Sequence, residues 1–214
     1  MDITQRYTVT DTENTSAGVS ISVTNPDDGA ELKLLISHDG FDRLGCRKGD
    51  VLTEEEFTEL NREAELNRAV SRTVKILSYS DHSKAQLVKK LAAYGFSKEA
   101  AVLAAEEAVR RGYINEAEQA TRAAVYYAKN KYWGKKRIAA ELLFRGYERA
   151  ATLSAIAAVT DEEYETSLMR IIKRKYMPLP EKYDKKAEMI SSLCRLGYSA
   201  SEINRVIEVL HNEE

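Results

Sequence analysis

The sequence predicts a mainly α chain: tandem three-helix repeats forming an elongated, curved helical array, preceded by a short N-terminal strand-bearing appendage. Three observations lead there. One seven-residue pattern returns at a fixed spacing, helix-start signatures stand between its copies, and the first fifty residues carry short β-like runs set off by turn residues.

The repeat is seen by sliding the sequence past itself. Leu91-Ala92-Ala93-Tyr94-Gly95-Phe96-Ser97, Leu142-Leu143-Phe144-Arg145-Gly146-Tyr147-Glu148 and Leu193-Cys194-Arg195-Leu196-Gly197-Tyr198-Ser199 share one template, with glycines 51 residues apart both times. The same offset aligns Lys84 with Lys135 and Lys186, and Leu87 with Ile138 and Met189. In this template the leucine packs the helix and the glycine takes the left-handed conformation that closes it. The aromatic then covers the last turn.

Helix starts are equally legible. Thr53 with Glu56, Ser83 with Gln86, Asn115 with Glu118, Thr160 with Glu163 and Ser199 with Glu202 have the spacing of a capping side chain and a reciprocating acid or amide, and Ser97 is a further N-cap. Phe57, Leu60, Ala64, Val70, Val74 and Leu77 are expected to form the buried stripe of a long first helix ending near Tyr79. Nine helices follow from these signals, at about 53–78, 83–94, 97–111, 115–131, 134–145, 148–159, 161–175, 184–196 and 199–211. The expected organisation is a segment of 1–52 followed by three-helix repeats over 53–111, 112–159 and 160–214.

The front segment reads differently. Arg6 to Thr10, Val19 to Val23 and Leu32 to Ile36 are β-like, separated by turns at Asn25-Pro26-Asp27-Asp28-Gly29 and His38-Asp39-Gly40. Such a segment is too short to hold a core without support from the rest of the chain.

Composition narrows the function classes. With 43% hydrophobic and 31% charged residues the chain can bury a core, yet it has no apolar run able to span a bilayer. Met1 to Thr10 lacks the basic and apolar stretches of a secretory signal, so a cytoplasmic location is expected. Cys46 and Cys194 stand apart, as do His38, His82 and His211, which favours reduced thiols and no metal or other cofactor. There is no phosphate-binding glycine loop and no nucleophile motif, so no catalysis is expected. The net charge of −2 hides a polarity: residues 1–66 hold 15 acidic and 6 basic side chains, residues 67–214 hold 19 and 26.

Two basic runs are candidate binding surfaces. The first carries Arg122, Lys129, Lys131, Lys135, Lys136 and Arg137 with Tyr126, Tyr127, Tyr132 and Trp133 among them. Cations neutralise phosphates and aromatic faces stack on unpaired bases, a mixture suited to single-stranded nucleic acid; the same side chains can equally pack between helices. The second comprises Arg170, Lys173, Arg174, Lys175, Lys182, Lys185 and Lys186, relieved by Glu181 and Asp184 and interrupted by the helix-breaking Tyr176-Met177-Pro178-Leu179-Pro180. It reads either as an edge facing DNA or an acidic partner, or as a solvated helix end whose cations favour the dipole. Lys84, Lys135 and Lys186 are either a periodic row of charges or ordinary first-turn residues. Glu54, Glu55, Glu56 and Glu59 suit a helix N-terminus, and also a surface that repels DNA.

In their order and spacing, Ser83-Lys84-Ala85-Gln86-Leu87, Leu91 to Ser97, Gly112-Tyr113-Ile114-Asn115, and Gly134 to Leu142 followed by Gly146 resemble the RecX family of RecA modulators. The resemblance covers roughly residues 60–211. This chain departs from the family in having Asn115-Glu116-Ala117-Glu118-Gln119 where an acidic pair and an aromatic are usual, and Ser80 where arginine is common. The resemblance implies a monomeric cytosolic regulator that lies along a RecA filament on single-stranded DNA and restrains its ATP hydrolysis, strand exchange or growth. Residues alone leave open a stand-alone nucleic-acid module, for single or double strands, and a helical scaffold for another protein.

Overall fold

The computed structural model describes residues 6–212 apart from Pro26 and Glu181. Pro26 of the predicted turn and Glu181 of the second basic run thus lie outside the described residues. The elements run β1 (Tyr7–Thr15), β2 (Gly18–Thr24), β3 (Glu31–Ile36), α1 (His38–Leu44), β4 (Val51–Leu52), α2 (Glu54–Leu77), α3 (Lys84–Ala93), α4 (Lys98–Arg110), α5 (Glu116–Asn130), α6 (Lys135–Phe144), α7 (Arg149–Ala157), α8 (Asp161–Tyr176), α9 (Tyr183–Arg195) and α10 (Ala200–Asn212). The nine predicted helices are α2 to α10. Two compact units result: one reaches from the sheet to His82 and takes in Leu87–Tyr113, and the other comprises Ser83–Gln86 and the chain from Ile114 onward.

In the first unit an antiparallel sheet has strand order β3-β2-β1-β4. Alternation in β2 buries Val19, Ile21 and Val23, and with Val9, Leu34 and Ile36 they meet Leu60 and Ala64 of α2. Tyr7 stacks on Phe57, ring centroids 3.6 Å apart. The long helix therefore supplies the second layer that the short strands lack. At the β1–β2 hairpin only glycine fits position 18, where a Cβ would lie 2.0 Å from the Ile36 carbonyl oxygen.

His38-Asp39-Gly40 is not a turn but the start of α1. Ser37 accepts from the Gly40 N–H and Gly45 closes the helix in the left-handed conformation. Glycine lowers helix propensity and so reads as a breaker. Here it makes room for the buried Glu63, whose Oε2 would lie 2.4 Å from a Cβ at position 40. Arg43 pairs with that carboxylate.

Helix α2 begins with the Thr53–Glu56 capping box that the sequence predicts. Replacing Thr53 by alanine is expected to cost about 1 kcal/mol in urea unfolding. The predicted stripe fails in the second half of the helix: Val74 is 46% exposed, and Ala69, Thr73 and Ile76 are buried instead. Besides its contacts with α1 and β4, helix α2 packs against β3 and α4. Its buried face shifts between them, and α4 turns in Ala100, Ala101, Ala104, Ala105 and Ala108. Small side chains on both helices allow close approach, a packing that a search for large apolar residues overlooks.

The second unit holds two apolar clusters. Ala124, Ile138, Leu142, Ala155 and Tyr164 lie in one; Leu168, Ile172, Met189, Leu193 and Ile203 lie in the other. The repeated turns close as the template predicts, with Gly95, Gly146 and Gly197 at φ +88°, +80° and +99°. The aromatic N–H groups of Phe96, Tyr147 and Tyr198 reach back to the carbonyls of Leu91, Leu142 and Leu193. Ser97, Asn115, Thr160 and Ser199 cap the helices expected of them. No described helix is long and apolar enough to cross a membrane.

Candidate nucleic-acid interface

Within the second unit the 51-residue offset recurs as a pair of equivalent junctions. Ser83 and Gly134 occupy the same repeat position at the starts of α3 and α6. The Ser83 hydroxyl donates to the Arg145 carbonyl at 2.6 Å, and the Gly134 N–H donates to the equivalent carbonyl of Leu196 at 2.8 Å. The next residue repeats the likeness. The Lys84 N–H donates to Glu116 at the start of α5, and the Lys135 ammonium pairs with Asp161 at the start of α8. The Gly146 and Gly197 turns thus seat on the preceding repeat. A Cβ at Gly146 would lie 2.7 Å from Ala85 Cβ, and one at Gly197 would lie 2.5 Å from the Arg137 nitrogen.

This arrangement places most of the first basic run. Arg122 pairs with Glu118 at 2.6 Å and Lys129 with Glu163 at 2.8 Å. Hydrogen bonds from the Lys135 and Lys129 ammonium groups hold the carboxyls of Asp161 and Glu163, respectively, below the usual carboxylate range. Trp133 stacks on the buried Tyr127 with centroids 4.6 Å apart, and the Arg137 guanidinium lies 4.1 Å from the indole centroid. Tyr132 takes a left-handed φ of +54°, unfavourable for a side chain with a Cβ. It is pinned because its carbonyl accepts from the buried Tyr198 hydroxyl at 3.1 Å and its own hydroxyl accepts from Arg170 at 3.3 Å. Lys131 and Lys136 remain exposed and form no ion pair among the described residues.

The second run is differently placed. Lys173, Arg174 and Lys175 end α8, Lys182 caps α9 without a side-chain bond, and Lys185 and Lys186 stand in its first turns. Among the described residues Arg174, Lys175, Lys182, Lys185 and Lys186 form no ion pair, and all five are exposed. Lys175 lies 5.3 Å from the Tyr176 ring centroid. By the 51-residue offset Lys186 matches Lys84 and Lys135, yet α9 begins at Tyr183, about a turn earlier than α3 and α6. Among the described residues no later repeat seats on its start, and an open groove of about 990 Å³ runs between α8, the Met177–Pro180 connector and α9.

Sequence reasoning missed the acids that hold the first run, Glu118, Asp161 and Glu163, and Glu116, which accepts from the Lys84 N–H at the equivalent junction. Their positions carry a signal: Glu116 and Asp161 each follow an N-cap at the head of a repeat. It also missed Arg145, which binds Glu141 at 2.8 Å and lies 5.5 Å from the Tyr127 ring centroid. The two cysteines are free, Cys46 buried and Cys194 exposed, and no group of three or more potential metal ligands occurs among the described residues.

Caps, glycine turns and matched junctions define a tandem helix-triplet protein joined to a small antiparallel sheet. Known proteins carry both its sequence pattern and its fold. The chain is 28% identical over 135 residues to the regulatory protein RecX of Caldanaerobacter subterraneus subsp. tengcongensis, covering 63% of this chain and 68% of that one. A crystal structure of regulatory protein RecX superposes with a TM-score of 0.76 at 16% identity, covering 94% of this chain and 99% of the other. RecX from Lactobacillus salivarius gives 0.63 at 17% identity over 69% of this chain and 97% of its own. No protein-family model matches. The chain is thus similar to regulatory protein RecX in sequence over 135 residues and shares the fold of the RecX crystal structures.

Proposed function

We propose that this protein regulates a RecA recombinase: it docks as a monomer on the filament that RecA forms on single-stranded DNA and restrains ATP hydrolysis, strand exchange and recombination. The observation that carries this reading is the likeness to regulatory protein RecX in sequence over 135 residues and in fold over 94% of the chain. Binding alone suffices for such an effect, since a ligand that favours one state of a filament subunit withdraws it from the cycle. The action belongs to the cytoplasm, where DNA and recombinase meet.

The test is the single-stranded-DNA-dependent ATPase rate of the host's RecA as this protein is added at physiological salt, beside a free-DNA binding control. Inhibition at concentrations too low to mask the DNA is the expected result. Stimulation would keep the partner and reverse the sign. An unchanged rate with folded protein would turn the assignment toward a stand-alone nucleic-acid module, the reading that the unpaired cations of the second run favour.

A further inference from the structure

We propose that the groove between α8 and α9 is a binding site for single-stranded nucleic acid that acts without the recombinase. The two basic runs look alike in sequence, but the structure separates them. In the first, Arg122, Lys129 and Lys135 are committed to carboxylates and Arg137 to the Trp133 ring. In the second, Arg174, Lys175, Lys182, Lys185 and Lys186 have no carboxylate partner among the described residues. Lys175, Lys185 and Arg195 line the groove, against Asp184 and Glu188 as its described acids. Unpaired cations concentrated around an open channel attract a polyanion, and each phosphate neutralised releases counterions to bulk.

The groove flanks the start of α9. At α3 and α6 the corresponding helix start is covered by the following repeat; at α9 no described element takes that place. Its floor and walls favour unpaired bases over a duplex. Tyr176 is half-buried at the edge, with Met177 36% exposed and Pro178 and Pro180 beside it. Aromatic, thioether and prolyl faces pack against a base face, which a duplex keeps stacked internally.

The decisive experiment titrates the full chain with a fluorescently labelled 20-nucleotide oligothymidylate over a range of salt, with no recombinase present. Measured against it are the triple variant Lys175→Gln, Lys182→Gln, Lys185→Gln and the double variant Lys131→Gln, Lys136→Gln; circular dichroism and Trp133 fluorescence check their folding. The triple variant is expected to reduce the salt slope of log K by about 2, near 0.7 for each phosphate of a single strand that is no longer neutralised. Its affinity should fall at least tenfold at low salt. The double variant should change neither, and Tyr176→Ala should weaken binding roughly tenfold with the salt slope intact. Equal effects of the triple and double variants would overturn the assignment, as would tighter binding of polyglutamate than of the oligonucleotide, which would make the occupant an acidic protein segment. Because the titration contains no recombinase, its outcome is read apart from that of the ATPase assay.

Discussion

Gly197→Ala is expected to destabilise the protein by roughly 2–5 kcal/mol, while Gly95→Ala, at the same position of the same template, costs about 1 kcal/mol. Both glycines have left-handed backbones, φ +99° and +88°, so the conformational penalty is shared. What differs is space. Nothing lies within 4 Å of a Cβ added at Gly95, whereas one at Gly197 would meet the Arg137 nitrogen at 2.5 Å, Arg137 Cβ at 2.6 Å and the Gly134 oxygen at 2.8 Å. Two of those three atoms are backbone, so relief requires the α6 start to move from the turn, breaking the Gly134 N–H to Leu196 bond. The measurement is urea unfolding followed by circular dichroism and by the emission of Trp133, the single tryptophan, which contacts both Tyr127 and Arg137 next to that junction. Equal midpoints for the two variants would mean that the turn does not bear on the preceding repeat. Gly146→Ala, with Ala85 Cβ at 2.7 Å, should fall between them, because a side chain rather than backbone has to yield.

The same junctions explain what could be read in the sequence. Repeats, caps and glycine turns are local devices: a capping box needs residues three apart and a Schellman turn needs one glycine, so Thr53, Asn115, Thr160 and Gly197 announce themselves. Helix α1 was hidden because its glycine serves a distant requirement, the clearance of Glu63. The exposure of Val74 was hidden because α2 changes packing partner along its length, which a single periodic stripe does not represent.

For the candidate surface, composition identified the cations and missed their commitments. Whether Lys135 is a phosphate ligand or a tie between repeats depends on Asp161, 26 residues away, and no spacing rule joins the two. Local sequence therefore could not tell the two runs apart. What distinguishes them is whether a following repeat brings acids to the helix start, as α5 and α8 do and as no described element does for α9.

The third repeat, which bears the groove, should be the part of the second unit most sensitive to alkali. Burial pushes the Tyr164 phenol up to about 12 from an ordinary 10, helped by the charges of Glu163, Asp161 and Glu202. Burial likewise raises Tyr198, whose hydroxyl donates to the Tyr132 carbonyl. A phenol raised in the folded state remains protonated there while its unfolded counterpart ionises, so above pH 10 the unfolded chain binds fewer protons and stability falls with pH. The contribution is fully present below pH 10 and is lost as pH rises toward 12; for Tyr164 a shift of about 2 units corresponds to roughly 3 kcal/mol. Urea midpoints measured from neutral pH upward should therefore fall more steeply for the natural chain than for Tyr164→Phe, which keeps the packing and gives up only a 3.4 Å bond to the Ile156 carbonyl. The difference between the two curves isolates the tyrosine from the lysines that titrate nearby. Parallel curves would show that the phenol is solvated, and that α8 is not seated against the α7 end as firmly as its burial implies.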